Sequence, residues 1–306
     1  MITEIPTLED FEEIGIQLLN LAWDTAISLF CDLDIVRYTD VEVDSLNQEY
    51  WKAARTQLFT ALSIAHQGSE FLLKGRIAEV SPFLLLVAHP RDWPKTSVSS
   101  PTPFSDFRSI DAQDLLKVHG SVRADPLSPD FVSKFEITRK TRNAIVHGVD
   151  RRLSIHASEI LGHVLLINHA LGREKNWVKV RQRYLENSPL SKMYAETYAS
   201  ARLVAEFIVV RDILSPSDSK RFFGFEKDSS NLICPDCAYN PYLRNDGCEP
   251  RTAMLSINQA RSDAIWCFVC GQHQKIEWKA CPAAECKGNV VSWDWQRCLT
   301  CGTELE

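Results

Sequence analysis

The sequence predicts a mostly helical protein that ends in a small β-containing, cysteine-rich module. Three observations carry that expectation. Apolar residues recur at helical spacing through long stretches before residue 214. Nine of the ten cysteines fall between Cys234 and Cys301. Ser215-Pro-Ser-Asp-Ser219 breaks the chain between these two compositions. The expected organisation is an N-terminal helical extension (1–44), a helical domain with extra helices after 172 (45–214), a linker (215–230) and the cysteine module (231–306).

At 306 residues and 45% apolar composition the chain can bury a sizeable core. Thirty-four basic against forty acidic residues, a net charge of −6, exclude a general nucleic-acid coat, so any RNA contact must come from a local patch. No run of 18 apolar residues occurs, and Met1-Ile-Thr-Glu-Ile-Pro6 lacks a basic stretch followed by a long apolar one. A cytoplasmic protein with no membrane partner is expected.

Taken in order, residues 8–30 place Leu8, Phe11, Ile14, Leu18, Leu19, Ala22, Ala26 and Leu29 near helical spacing, with Trp23 and Cys31 as core. Ser45-Leu-Asn-Gln48 has the form of a capping box, and one long helix should run through Tyr50, Ala54, Leu58, Leu62 and Ala65 until Pro82 ends or bends it. Gly68 sits inside that helix at some cost, and Glu70 and Lys74, four apart, are placed to pair on a solvated face. Residues 89–109, with Pro90, Pro94, Pro101 and Pro103, read as a loop, either a lid or a disordered insertion. A short helix over 111–119 follows. Ser154 is expected to cap an apolar helix that ends at Gly172, with His163 and His169 on or near its apolar stripe as core histidines. Arg173, Lys175, Lys179, Arg181 and Arg183 face one acid, Glu174, with Trp177 and Tyr184 beside them, which is either a nucleic-acid track or an exposed helix face. Residues 189–214 read as one more helix.

The stretch Thr138-Arg-Lys-Thr-Arg-Asn-Ala-Ile-Val-His-Gly148 organises the helical part. Ser128 as N-cap, Pro129 in the first turn and Asp130 at the positive end of the dipole start a helix that Gly148 stops. On it Asn143 and His147 are i and i+4 and share a face, with the Arg142 guanidinium within reach. A fixed cation, an amide and a titratable imidazole suit phosphodiester chemistry. Arg151 and His156 repeat the spacing across the start of the next helix, with Arg152 in place of Asn143, and are taken as the accidental match.

Arg142-Asn-Ala-Ile-Val-His147 resembles the Arg-polar-x3-His motif of HEPN domains, an all-helical family named for higher eukaryotes and prokaryotes nucleotide-binding. Ile64-Ala-His-Gln-Gly-Ser-Glu-Phe-Leu-Leu-Lys-Gly-Arg-Ile77 is similar to the family's helix with an internal Glu-x3-Lys, and residues 106–119 to its middle helix. The resemblance spans about residues 45 to 172. It implies a HEPN-like helical bundle and a metal-independent endoribonuclease in which two protomers bring their motifs into one cleft. His147 would be general base or acid, Arg142 would stabilise the phosphorane, and Asn143 would orient the phosphate or the imidazole. RNA would be the substrate and a homodimer the working state, in a toxin or anti-phage setting. Members inactivated by a nucleotidyltransferase antitoxin often carry Tyr two residues after the motif His, whereas Val149 stands here. The competing expectation is a non-catalytic HEPN-like scaffold.

Cys234-Pro-Asp-Cys237 and Cys267-Phe-Val-Cys270 form two C-x2-C knuckles, and Cys281, Cys286, Cys298 and Cys301 form a second set with a strand over 289–296 between its halves. Each set supplies four thiolates for a tetrahedral metal, and both resemble zinc ribbons. Gly271 and Gly302 follow the last cysteine of each set, where a tight turn favours glycine. Cys248 and His273 are spare ligands. With every thiolate committed, two structural zinc ions are expected. From Asp228 onward seven basic residues face ten acidic ones. The module is therefore expected to meet a protein partner rather than bind nucleic acid non-specifically, with most of Trp266, Trp278, Trp293 and Trp295 in its core.

Overall fold

The computed structural model describes residues 1–37, 43–87, 89, 91, 93–147, 154–193, 197–227, 231–241, 243, 249–255 and 262–305, with the backbone alone at 34–37, 43–47, 147 and 197. They are mostly helical, with a small antiparallel sheet near the C-terminus. The chain divides into two compact units, Met1–Lys175 and Asn176–Glu306.

In the first unit α1 (Leu8–Arg37) begins where Thr7 and Asp10 cap reciprocally, the Thr7 amide donating to the Asp10 carboxylate at 2.7 Å and the Asp10 amide to Thr7 Oγ1 at 3.3 Å. It runs antiparallel to α3 (Arg55–Ala78), and the two backbones nearly touch. A Cβ on Gly15 would lie 2.8 Å from Leu72 Cγ and 3.1 Å from the Gly68 carbonyl oxygen; one on Gly68 would lie 3.1 Å from the Gly15 carbonyl oxygen. This crossing explains the glycine inside the long helix. Phe11 packs against Phe71 at 6.2 Å, and Leu19, Ala22, Trp23 and Ala26 are fully buried. By length and hydropathy alone (1.4 over Leu8–Leu33) α1 would qualify to span a bilayer, but here its inner face lies on α3 and on α6 (Ala157–Leu171).

α3 is the hub. Against it lie α2 (Val43–Ala53), α4 (Ala112–Val122), α5 (Pro129–His147) and α6, and the core adds Phe131 and Phe135 from α5 to Ile160, Val164 and Ile167 from α6. Ser128 caps α5 as expected, its Oγ accepting from the Phe131 amide at 3.3 Å. Gly148 lies outside the described residues.

Several expectations need correction. The single helix through Tyr50 is two, parted at Ala54, and Ser45 lies inside α2 rather than at its start. Glu70 lies 3.2 Å from His66 Nε2, while Lys74 donates to Ser109 Oγ at 3.2 Å, so each has another partner. The described part of residues 89–109 is tied down at its base. Val87 N bonds Arg108 O, Ile110 N bonds Leu85 O, and Phe104 and Phe107 are buried with Trp93 edge-on to Phe107 at 5.7 Å. The β1 pair Ile2–Thr3 runs parallel to β2, Thr102–Pro103. α6 starts after His156, not at Ser154, and His169 is exposed while His163 is 1% exposed.

The second unit opens with α7 (Trp177–Glu186), capped by Asn176, whose Oδ1 accepts from the Val178 amide at 3.0 Å. Then come α8 (Pro189–Met193), α9 (Thr197–Ile213) and α10 (Pro216–Asp218); residues 194–196, through which a single helix over 189–214 was expected to run, lie outside the described residues. A π-helical turn, Ser219–Phe223, follows α10, and α11 (Pro235–Ala238) leads into the sheet. β3 (Ala253–Leu255), β4 (Ala264–Cys267), β5 (His273–Trp278) and β6 (Val290–Ser292) pair antiparallel in that order. Arg181 on α7 meets Glu206 on α9 through two hydrogen bonds of 2.8 Å, with the side chains 0% and 4% exposed. Losing one partner of such a pair costs about 3–5 kcal/mol, because the other charge stays buried.

That pairing buries Arg181 rather than leaving it on an exposed helix face, and Arg173 is held by Glu9 and Glu12 in the first unit. Of the linker expected at 215–230, residues 228–230 lie outside the described residues, and the two compact units divide after Lys175. Phe223 and Phe225 are buried and join Phe207 of α9 to Phe268 beside the sheet, with ring centroids 4.9–6.3 Å apart. Ser219, Phe223 and Phe225 are therefore seated in the core of the second unit, while the residues between them are half-buried or exposed.

Two outcomes follow from this packing. Gly15→Val should lower the stability of the first unit by about 1–3 kcal/mol through overpacking. Gly120→Ala and Gly162→Ala, where a Cβ meets nothing within 4 Å, should leave it equal or raise it by up to ~1 kcal/mol. Denaturant midpoints that rank the three variants otherwise would contradict the close crossing. Burial, then the nearby Lys134 and His66, hold His163 down at about 3 against an ordinary 6.5. The unfolded chain takes up this proton below about 6.5 and the folded chain only near 3. Its contribution is complete above that upper value and is lost as pH falls, at up to ~1.4 kcal/mol per pH unit. His163→Leu should flatten the stability–pH curve between those limits; an unchanged slope counts against burial of a neutral imidazole.

Candidate functional site

Two groups of four cysteines converge in the second unit: Cys234, Cys237, Cys267 and Cys270, and Cys281, Cys286, Cys298 and Cys301. Within each group all sulfurs lie within 4.8 Å of one another. The nearest pairs are Cys234–Cys270 at 3.7 Å, Cys237–Cys267 at 3.9 Å, Cys281–Cys301 at 3.5 Å and Cys286–Cys298 at 3.9 Å. A tetrahedral ion with metal–sulfur distances of about 2.3 Å has sulfur–sulfur edges of ~3.8 Å. Both groups are therefore fit to hold one metal ion each, in the grouping expected from spacing.

Backbone amides point at three of the sulfurs, where they favour thiolate, while the neighbouring sulfurs of each group work against it at Cys237 and Cys281. Backbone amides of Cys270, Ala283 and Gly288 donate to the sulfurs of Cys267, Cys281 and Cys286 at 3.4, 3.4 and 3.3 Å. Gly271 and Gly302 take φ of 72° and 75°, where their amides return to Cys267 O at 2.9 Å and Cys298 O at 2.8 Å. Hydrogen bonding from Cys234, Cys237 and Cys270, with Thr252, holds the Cys267 thiol far below its usual range, whereas Cys237 is driven far above it by Cys234 and its other neighbours. Thr303 brings Cys301 down to about 6. Thr252, fully buried with Oγ1 3.2 Å from Cys267 Sγ, supports the first group and carries no signal in cysteine spacing.

Both groups hang on one four-stranded sheet rather than on two separate ribbons. β4 ends in Cys267, β6 leads toward Cys298, and the Ile233 amide next to the first knuckle donates to Leu299 O at 2.8 Å. His273, at the start of β5, is exposed and outside either group; Cys248 lies outside the described residues. The tryptophans depart from expectation. Trp266, Trp278 and Trp295 are half-buried and Trp293 is 52% exposed, so none of the four is enclosed as core.

In the first unit α5 carries Arg142 and Asn143 and ends at His147. Both of the former are half-buried, and Arg142 Nη1 donates to Asn143 Oδ1 at 3.2 Å. The His147 side chain, Arg151 and Arg152 lie outside what the structure describes, and His156 is exposed. Comparison with protein-family models, curated proteins and solved structures finds no match to this chain.

Elemental analysis of intact protein should give two metal ions per chain. Stripping them should abolish amide protection in β3–β6 and weaken it in α9, which shares the Phe207–Phe268 packing, while α1, α3 and α6 keep theirs. One ion or none in undamaged protein, or a sheet still protected when metal-free, would refute the paired four-cysteine assignment.

Proposed function

We propose that the first unit is a HEPN-type, metal-independent endoribonuclease acting as a homodimer in the cytoplasm, in the setting of a toxin or anti-phage effector. The observation that carries this reading is the placement of Arg142 and Asn143, joined by a hydrogen bond, near the C-terminal end of the helix that finishes at His147. A guanidinium, an amide and an imidazole on one helix end supply charge stabilisation, orientation and proton transfer for attack of an RNA 2′-hydroxyl on the adjacent phosphate. The bond from phosphorus to the 5′ oxygen breaks, leaving a 2′,3′-cyclic phosphate and a 5′-hydroxyl. Two motifs facing one another across a two-fold axis would provide both a proton acceptor and a proton donor. The eight cysteines would hold two structural zinc ions, tetrahedral four-thiolate coordination being zinc's usual structural form and leaving no position for water.

A second reading, a non-catalytic HEPN-like scaffold whose cysteine unit docks a partner, is favoured by the exposed aromatic side chains of that unit.

Incubation of the full chain with mixed RNAs distinguishes them. Cleavage should survive EDTA in a short assay, spare DNA and leave cyclic phosphate ends. It should fall at least ~10²-fold in His147→Ala and Arg142→Ala, the scale for losing one acid–base group or one charge-stabilising donor. His156→Ala should cleave normally. Equal rates for the His147 and wild-type proteins would leave the scaffold reading standing.

A further inference from the structure

The two cysteine groups differ in how the chain shields their sulfurs. In the first, Cys234, Cys237 and Cys267 are buried while Cys270 is exposed; in the second, Cys298 is buried and Cys281, Cys286 and Cys301 are half-buried. Hydrogen bonds divide them again. Amides reach the sulfurs of Cys267, Cys281 and Cys286, and the Thr252 hydroxyl lies against Cys267. Among the described residues no amide or hydroxyl reaches the sulfur of Cys270 or Cys234, which lie 3.7 Å from each other. A donor aimed at a thiolate takes up part of its charge and lowers its nucleophilicity. Cys270 therefore joins exposure to an undamped sulfur, which none of the other described cysteines of the two groups does.

Open volume lies beside it. A cavity of about 180 Å³ is lined by Cys237 and Cys270, with Leu203 and Val204 of α9 as apolar wall. Its polar side carries Ser200 and Asn240, whose Nδ2 donates to Ser200 Oγ at 3.0 Å. At ~30 Å³ for a water molecule, that space admits a small polar solute of the size of a peroxide. What happens at the knuckle also matters to the core, because Phe268 follows Cys267 directly and its ring meets Phe207, Phe223 and Phe225 at 6.2, 5.8 and 4.9 Å.

We propose that Cys270 is an oxidation site for small peroxides, and that its oxidation opens the first cysteine group while the second stays intact. The Cys270 sulfur attacks one peroxide oxygen and the O–O bond breaks. The other oxygen takes up a proton and leaves as water, and Cys270 becomes a sulfenic acid. The Cys234 sulfur, its nearest neighbour, then attacks the Cys270 sulfur; the S–S bond forms, the S–O bond breaks, and a second proton carries that oxygen away as water. Two thiolates, one peroxide and two protons give one disulfide and two waters. Two thiolates of four then remain to hold a metal ion, and the support beneath Phe268 is lost with it. The proposal is independent of RNA cleavage by the first unit. It rests on the reading that each group holds a metal ion, which elemental analysis before oxidation checks separately.

The test treats the full, metal-loaded chain with hydrogen peroxide, follows released metal with a chromophoric chelator, and maps disulfides by mass spectrometry after alkylation. One metal ion should leave in a fast phase while the other stays. The first disulfide should join Cys234 to Cys270, and reductant with added metal should reverse both changes. Cys270→His keeps a three-sulfur, one-nitrogen ligand set and should release metal at least ~10-fold more slowly, whereas Cys31→Ser should release it at the wild-type rate. The wild-type disulfide map decides the proposal whatever the metal loading of the histidine variant. A first disulfide within the second group, both ions leaving in one phase, or Cys270 still reduced after the fast phase overturns it.

Discussion

Four sulfurs packed 3.5–3.9 Å from their nearest neighbours cannot all be thiolates without a cation between them. This constraint governs the second unit. Its strands are three to six residues long, too short to define a fold through pairing alone, and its aromatic cluster gathers around Phe268, next to the Cys267–Cys270 knuckle. Positive-φ glycines, amide-to-sulfur hydrogen bonds and the buried Thr252 all serve one arrangement of charge. Four-thiolate sites that hold metal cross-link a small domain and lessen the core area it needs. The indoles are then available at the surface.

The first unit rests on apolar packing instead. α3 is clasped on several sides, and the polar groups it buries, His66 and Ser69 among them, face α5 and α6 across Phe135 and His163. The helix bearing Arg142 and Asn143 is thus seated by Phe131 and Phe135 in its first half, while its C-terminal half carries the half-buried polar pair. Anchoring one half of a helix in the core leaves the polar groups of its other half positioned without full burial.

Sequence legibility followed the range of the interactions involved. The two fours of cysteine were readable because ligand spacing is local and turn glycine sits beside it. Ser128 and Pro129 announced α5 for the same reason. The Lys175 division was not readable, since it depends on Phe207, Phe223, Phe225 and Phe268 meeting across more than 60 positions of sequence by their numbering. Likewise Arg181 looked like one cation in a basic run, and only the fold brings Glu206 to it. The tryptophans misled because hydrophobicity was equated with burial, whereas the core of this unit is filled by phenylalanine and aliphatic side chains such as Phe268, Ile265 and Val291. Gly68 was seen as a defect of one helix when it is a property of two.

That glycine contact also limits how the first unit can move. Where Gly15 and Gly68 approach, neither helix offers a side chain to slide over, and a displacement by one turn would drive Leu19 or Leu72 into the opposing backbone. Shear between α1 and α3 is blocked, and a further close approach, Gly75 against Leu8 and Phe11, opposes pivoting about the glycine pair. Any rearrangement that reaches α5 through α3 should therefore carry α1 and α3 together as one body.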